Sequence, residues 1–139
     1  MLYLFVSGGV LLLLDQWIKS VVQSRVRGRC VRWGPVLQIR CVNSVKVFYR
    51  RDGARLTLGL VWVTALAAAI LLHRSGVWFQ SPVALVALGA AFGGAAGNLL
   101  DVLRRRSVVD FIDLRWWPVF NLADVAIVAG LATALWPSV

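Results

Sequence analysis

Residues 107–124 read S-V-V-D-F-I-D-L-R-W-W-P-V-F-N-L-A-D, and this stretch holds three of the six acidic residues of the chain. All six are aspartates, and the three found here are Asp110, Asp113 and Asp124. Asp110 and Asp124 have almost entirely apolar neighbours in the sequence. Moving a carboxylate out of water costs several kcal/mol unless it is paired or neutralised. Two such carboxylates at the edge of apolar sequence therefore indicate a functional site.

The composition of the chain indicates a membrane protein. Its 139 residues suffice for one domain, and 60% of them are hydrophobic, with a mean hydropathy of +0.77. Such a chain is too apolar for an ordinary soluble domain. Fifteen Lys and Arg residues give a net charge of +9, which in a soluble protein of this size would suggest nucleic acid. In a chain with long apolar runs we expect anionic lipid headgroups as partners instead, and no nucleic acid.

Four apolar segments predict four transmembrane helices, at about 2–22, 56–73, 83–103 and 120–136. Roughly twenty helical residues span about 30 Å, the thickness of the hydrocarbon core. The first segment has no basic n-region and no A-x-A cleavage site, so we expect it to be retained. Small residues every four positions, at Gly89, Gly93 and Gly97, predict that the third helix packs closely against its neighbours. The predicted fold class is an all-α membrane protein with a single domain over 1–139.

The polar, Arg-rich segment 23–55 predicts a small β-sheet domain on the membrane surface between the first two helices. Apolar and polar residues alternate over 37–42, which is typical of a half-exposed strand, and Val45 with Val47 is its expected partner. The two cysteines, Cys30 and Cys41, lie in this segment. They form a disulfide if the segment is extracytoplasmic, or they are two free thiols. Since no C-x-x-C motif or Cys/His cluster is present, we expect neither a metal nor a cofactor.

Polar residues inside the predicted helices recur at helical spacings. Asp15 and Lys19 are one turn apart and are predicted to pair locally, with the Lys19 ammonium extended towards the membrane interface. Asn98 and Asp101 are three residues apart and share a helix face, and the same Asn-x-x-Asp spacing recurs at 121–124.

The carboxylates of Asp110 and Asp124 are both expected to reach one membrane interface. Two carboxylates in a poorly solvated site do not both ionise, so one keeps its proton. Such a pair provides a base that activates water and an acid that protonates a leaving amine, as in aspartic proteases. From the residues alone, two other interpretations stay open. The pair is a buried polar contact that orders the helices, or it belongs to an ion or proton relay.

Four motifs in this chain resemble those of the signal peptidase II family, the lipoprotein signal peptidases. They are D-Q-x-x-K at 15–19, G-G-A-x-G-N-x-x-D at 93–101, V-V-D-F at 108–111 and F-N-x-A-D-x-x-I-x-x-G at 120–130. The resemblance implies the same four-span fold in a bacterial cytoplasmic membrane. It also implies an endopeptidase that removes signal peptides from diacylglyceryl-modified prolipoproteins, with Asp110 and Asp124 as the catalytic pair. These lipid-modified substrates and membrane lipids are then its partners, and we expect a monomer.

The same resemblance assigns supporting roles to further polar residues. It implies that Asp15 and Lys19 hold the first helix, and that the site is supported by three residues of later motifs: Asn98, Asp101 and Asn121. Asn43 opens a segment, N-S-V-K-V-F, that resembles a substrate-holding segment of the family. Asp113 falls outside the catalytic positions and is predicted to be a loop residue, solvated or paired with Arg115.

The sequence also departs from the family pattern. Valines stand at Val45 and Val47, where the family has glycine and alanine, and at Val102, where it has arginine. These departures motivate an alternative, a non-catalytic relative that binds lipidated peptides or acts as an assembly factor. A small transporter is a third alternative. Thirteen of the fifteen basic residues lie in loops 23–55 and 104–119, which the positive-inside rule places in the cytoplasm. The family resemblance implies the opposite, with the active site near the extracytoplasmic face.

Overall fold

The structure is a computed structural model that describes residues 1–26, 30–33, 35–44 and 53–136. Within these ranges, the side chains of five residues are not described: Trp33, Cys41, Asn43, Ser44 and Ala54. The chain forms four helices and three strands in these ranges. In chain order they are α1 (Leu2–Arg25), β1 (Cys30–Trp33), β2 (Leu37–Ser44), α2 (Ala54–Arg74), α3 (Pro82–Arg105), β3 (Val108–Asp113) and α4 (Leu122–Ala134).

In the described ranges, three helices are long and apolar enough to cross a membrane: Leu2–Arg25, Arg55–Arg74 and Pro82–Arg105. They confirm the predicted segments 2–22, 56–73 and 83–103. The fourth predicted span is not confirmed, because α4 has 13 residues and is therefore only about 20 Å long. That is shorter than the roughly 30 Å of a hydrocarbon core. A crossing at 120–136 remains a prediction.

Helix α3 lies at the centre of the bundle, with α1 packed closely against it. Gly8 of α1 contacts Gly93, and a Cβ built on Gly93 would lie only 2.8 Å from the Gly8 Cα. One turn further along α3, a Cβ on Gly97 would lie 2.5 Å from Asp15 Oδ2 of α1. The order of these contacts shows that α1 and α3 run in the same direction. The glycine spacing thus has the close-packing role predicted for it.

The other two helices pack on α3 in different ways. α4 runs antiparallel to α3 and approaches it closely, since a Cβ on Gly94 would lie 2.7 Å from the Ala123 carbonyl oxygen. α2 is mostly exposed, and it packs against α3 through Trp62 and through Ala69, which lies in one buried cluster with Leu85 and Leu88. The Trp62 indole N–H donates to the Phe92 carbonyl at 3.1 Å, and the two rings meet edge to face at 6.2 Å. α2 therefore presents most of its apolar surface outward.

The sheet has three antiparallel strands in the order β1-β2-β3. The predicted strand over 37–42 is confirmed as part of β2. β2 pairs with β1, which comes from the same segment between the first two helices, as predicted. It also pairs with β3 from 108–113, which the prediction did not include. The loop predicted over 104–119 contains β3, whose residues are nearly all buried and therefore show no polar–apolar alternation in the sequence. Val45 and Val47 lie outside the described residues.

The sheet lies at the end of the bundle where α1 and α3 terminate and α2 begins, which we call the sheet end. Exposed arginines are concentrated at this end, whereas Arg74 lies at the opposite end. Two exposed tryptophans, Trp116 and Trp117, are also at the sheet end, in the connection between β3 and α4. This is the arrangement of an aromatic belt at a membrane interface.

Candidate active site

Asp110 is positioned by strand β3, at the sheet end of the bundle. Its register partner on β2 is Val42, and only 4% of the residue is exposed. The Asn121 side-chain amide donates to Asp110 Oδ1 at 2.8 Å. A buried carboxylate needs such a donor because it has lost its water. The strand register and this hydrogen bond fix where the carboxylate lies.

Asp124 is positioned by the first turn of α4. A helix start leaves backbone N–H groups without partners, and a capping box satisfies two of them reciprocally. Here the Asn121 side chain accepts from the Asp124 N–H at 3.0 Å, while Asp124 Oδ2 accepts from the Asn121 N–H at 3.1 Å. The other oxygen, Asp124 Oδ1, accepts from the Asn98 side-chain amide at 2.9 Å. Asp124 is half-buried, so it is more accessible than Asp110.

Asn121 therefore contacts both predicted catalytic carboxylates. Its side chain and backbone bind one each, and it is fully buried. The residue before it, Phe120, is held to β3 by backbone hydrogen bonds to and from Ile112 at 3.0 and 2.8 Å. These bonds fold the chain back after β3, so that the start of α4 lies against the strand. Asp110 on β3 and Asp124 on α4 therefore lie on either side of Asn121.

Lys19 lies behind this pair, completely buried between α1 and α3. Its ammonium contacts Asp15 Oδ2 at 2.7 Å, Asp101 Oδ2 at 2.8 Å and Asn98 Oδ1 at 2.9 Å. The predicted local pair with Asp15 is confirmed. The prediction that the ammonium extends to the interface is wrong, because acceptors from α3 complete its hydrogen bonding inside the bundle.

The two carboxylates of this ion cluster also reach the elements that carry the catalytic candidates. The Ala123 N–H donates to Asp15 Oδ1 at 3.2 Å, at the start of α4. The Val109 N–H donates to Asp101 Oδ2 at 3.5 Å, on β3. Arg105 also approaches Asp101, with 3.6 Å between Nη1 and Oδ1. Five of the supporting positions implied by the resemblance therefore form one connected network: Asp15, Lys19, Asn98, Asp101 and Asn121.

Gln16 is a member of this network that the sequence reasoning did not place in the site. Its side-chain amide donates to Asp15 Oδ2 and Asp101 Oδ1, both at 3.3 Å, and to the Gly97 carbonyl at 3.2 Å. Its position between Asp15 and Lys19 in an otherwise apolar run was the available signal. A glutamine at that depth of an apolar helix needs internal partners.

The prediction of Asp113 as a loop residue that is solvated or paired with Arg115 is wrong, because this residue is the buried end of β3. Its carboxylate pairs with Arg40 of β2, with 2.6 Å between Asp113 Oδ2 and Arg40 Nε. The Arg115 backbone N–H donates to it at 2.8 Å, but the Arg115 guanidinium donates to the Pro35 carbonyl instead. Residues three apart on a strand point to opposite faces, so Asp113 faces away from Asp110.

Asn43 lies in β2 with Val109 as its register partner, and its side chain is outside the described part. Cys30 is a free, exposed cysteine at the start of β1. Among the residues that the structure describes, no group of three or more His, Cys, Asp or Glu side chains has an arrangement that would hold a metal ion.

An apolar cavity of about 350 Å³ opens between α2, α3 and α4 and reaches the site. Its lining includes Trp62, Ala95, Val102 and Ile127, and its one polar residue is Asn98, which hydrogen-bonds Asp124. Val102 keeps the lining apolar where the family pattern has arginine. An apolar chain in this cavity would therefore lie beside the Asn98–Asp124 pair.

The signal peptidase (SPase) II family profile matches residues 8–139. The chain belongs to the signal peptidase II family. Three relatives, each described as a lipoprotein signal peptidase, support this. The protein of Pelotomaculum thermopropionicum is 34% identical over 97% of this chain and 90% of its own length. The protein of Rhodococcus jostii is 37% identical over 93% of this chain and 68% of its own length. The protein of Halothermothrix orenii is 33% identical over 88% of this chain and 86% of its own length.

Two solved structures of bacterial membrane enzymes, determined by the in meso method, share the fold of this signal peptidase II family member. One has a TM-score of 0.77 with 22% identity and covers 94% of this chain and 88% of its own. The other has a TM-score of 0.74 with 22% identity and covers 94% of this chain and 83% of its own. These likenesses support a multi-pass membrane protein with a small sheet at one end.

Proposed function

We propose that this protein is an intramembrane aspartic endopeptidase that removes signal peptides from diacylglyceryl-modified bacterial prolipoproteins. One observation carries the proposal: Asn121 holds one buried and one half-buried carboxylate beside an apolar cavity. Membership of the signal peptidase II family supports peptide hydrolysis and the class of substrate. The residues that perform the chemistry are Asp110 and Asp124.

Hydrolysis needs a base, an acid and a water molecule between them. In our proposal the scissile carbonyl lies between Asp110 and Asp124. The ionised carboxylate takes a proton from water, whose oxygen attacks the carbonyl carbon. The protonated carboxylic acid then donates its proton to the leaving amine as the C–N bond breaks. The water supplies the new carboxylate oxygen, no covalent intermediate forms, and neither a metal nor a cofactor takes part.

The substrate enters sideways from the membrane, between α2 and the α3–α4 pair. α2 has the smallest buried share of the three long helices, so it is the helix that separates most easily from the bundle. The apolar lining of the cavity suits a signal-peptide segment or an acyl chain. Asn98 then lies between this apolar lining and Asp124, where the polar peptide bond must be placed.

We place the protein in the bacterial cytoplasmic membrane as a monomer, with the sheet end on the extracytoplasmic side. The positive-inside rule favours the reverse orientation, because Arg104, Arg105 and Arg106 are exposed at the sheet end. In our proposal these arginines contact anionic lipid headgroups of the outer leaflet. Arg105 also has an internal partner, Asp101.

The test is cleavage by the purified protein of two matched prolipoproteins, one carrying the diacylglyceryl group and one without it. We expect release of the signal peptide from the modified substrate and much slower release from the unmodified one. Binding of the modified substrate without any cleavage would contradict the proposal. It would instead support the alternative of a non-catalytic relative that binds lipidated peptides.

A further inference from the structure

The Lys19 ammonium is a hydrogen-bond donor with no capacity to accept. Its three N–H groups match three acceptors in the structure: Asp15 Oδ2, Asp101 Oδ2 and Asn98 Oδ1. Ion pairing with the two carboxylates compensates the buried charge. The third contact is different, because it is made to a neutral amide that has one oxygen and one nitrogen to offer.

Lys19 fixes which end of the Asn98 amide faces which neighbour. Because only the amide oxygen accepts, Asn98 Oδ1 must face the ammonium, at 2.9 Å. The same oxygen accepts from the Asn121 amide at 3.1 Å. The Asn98 NH2 group then points in the remaining direction and donates to Asp124 Oδ1 at 2.9 Å. The Lys19 ammonium, 79 residues away from Asn98 in the sequence, thus determines that an N–H group of Asn98, and not its oxygen, faces Asp124.

The orientation of the Asn121 amide is fixed by the start of α4. Asn121 Oδ1 accepts from the Asp124 N–H at 3.0 Å, in the helix cap. Its NH2 group therefore faces Asn98 Oδ1, and it also donates to Asp110 Oδ1 at 2.8 Å. Asn98 Oδ1 therefore accepts from two donors, the Lys19 ammonium and the Asn121 NH2 group. Each carboxylate of the pair receives a side-chain amide N–H as a result.

We propose that Lys19 is a positioning residue that holds the Asn98 amide in this orientation, so that Asn98 presents an N–H to the catalytic carboxylate of Asp124. The inference rests on the proposed function and adds to it a residue that touches neither carboxylate of the pair. Without the ammonium, Asn98 Oδ1 would have only one donor, from Asn121. Asn98 is then held less firmly, and its N–H donates less often to Asp124 Oδ1.

The test is a double-mutant cycle on the purified full-length protein, with a diacylglyceryl-modified prolipoprotein as substrate. We expect Lys19→Met and Asn98→Ala each to lower kcat about tenfold or more. For Lys19→Met we also expect KM to stay within about twofold, because Lys19 does not line the cavity. If Lys19 acts through Asn98, the double variant falls no lower than the worse single variant. Losses that multiply, or a change confined to KM, would overturn the inference.

Gly8→Ala is the matched control for loosening of α1 against α3. Its Cβ would lie 3.0 Å from the Gly89 carbonyl oxygen, which weakens the same helix contact without touching an amide of the network. We expect any loss that it causes to multiply with that of Asn98→Ala. If instead Gly8→Ala shows the same non-additivity as Lys19→Met, Lys19 has only a structural role and the inference is wrong.

If Lys19→Met does not fold, Lys19→Gln takes its place in the cycle, because glutamine is neutral and offers both an oxygen and an N–H. Asn98→Asp gives a second measurement with Lys19 present, since it keeps an oxygen towards Lys19 and replaces the N–H towards Asp124 by oxygen. We expect it to lower kcat as much as Asn98→Ala, and full activity would overturn the inference. Absence of cleavage by the unaltered protein would contradict the proposed function itself and the inference with it.

Discussion

Asn121 and Asp124 bind each other reciprocally: the side chain of each accepts a hydrogen bond from the backbone N–H of the other, at 3.0 and 3.1 Å. This capping box starts α4 and places Asp124 at the same time. The Asn121 amide also donates to Asp110. The residue that begins the helix is therefore the one that joins the two carboxylates.

The two roles of Asn121 are separable by substitution. Asn121→Ala loses the cap, which costs about 1 kcal/mol of stability, whereas Asn121→Ser keeps a capping oxygen. Both variants lose the amide donor to Asp110, so we expect kcat to fall about tenfold or more in both. Thermal unfolding in detergent and cleavage kinetics measure the two effects. Recovery of both stability and kcat in Asn121→Ser would show that the amide has no catalytic importance.

The α1–α3 contact depends on the absence of a side chain at Gly93. Gly93→Ala would bring a Cβ to 2.8 Å from the Gly8 Cα, and we expect a loss of about 1–3 kcal/mol. Gly59 is also in a helix, but a Cβ there would meet nothing within 4 Å. Gly59→Ala should therefore be neutral or stabilise by up to about 1 kcal/mol. Equal unfolding temperatures for the two variants would refute this packing.

Two neighbouring alanines of α3 face different cavities. Ala95 lines the cavity between α2, α3 and α4, which Asn98 also lines, while Ala96 lines a cavity of about 190 Å³ between α1, α2 and α3. We expect Ala95→Leu to raise KM about tenfold, because it narrows the proposed substrate path, and Ala96→Leu to leave KM unchanged. A raised KM for Ala96→Leu with an unchanged KM for Ala95→Leu would show that the substrate binds in the cavity between α1, α2 and α3 instead.

Labelling of cysteines from outside the cell tests the orientation of the protein in the membrane. Cys30 is exposed at the sheet end, and Val77 is exposed in the connection between α2 and α3 at the opposite end. A membrane-impermeant maleimide on intact cells should label Cys30 in a Cys41→Ser variant. It should not label Val77→Cys in a background without native cysteines. Labelling of Val77→Cys alone would reverse the proposed orientation and agree with the positive-inside rule.

Local patterns were sufficient to predict the three long helices, the glycine contact and the strand over 37–42. They were insufficient where a partner is distant in sequence. Lys19 is buried because Asp101 and Asn98 of α3 complete its hydrogen bonds, and no spacing within α1 reveals them. β3 lacks alternation because it is buried on both faces, so a period of two is not visible in it.

The candidate site shows the same limit. Asp110 and Asp124 were recognisable as carboxylates in apolar sequence, but their connection depends on the fold of the chain between β3 and α4. The Asn-x-x-Asp spacing at 121–124, directly before an apolar run, was in fact a helix-start signal. Asp113 was misplaced because its partner, Arg40, lies on another strand.

The central claim is that Asp110 and Asp124 hydrolyse the peptide bond, and one set of isosteric variants tests it most directly. Asp110→Asn, Asp124→Asn and Asp113→Asn are compared for cleavage of a diacylglyceryl-modified prolipoprotein by purified, folded protein. Asp113 is the matched control because it lies on the same strand as Asp110 but pairs with Arg40. We expect the first two variants to lose at least about 10²-fold in kcat, as removal of a general acid or base does, and Asp113→Asn to retain cleavage. Near-normal cleavage by Asp110→Asn or Asp124→Asn would contradict the claim.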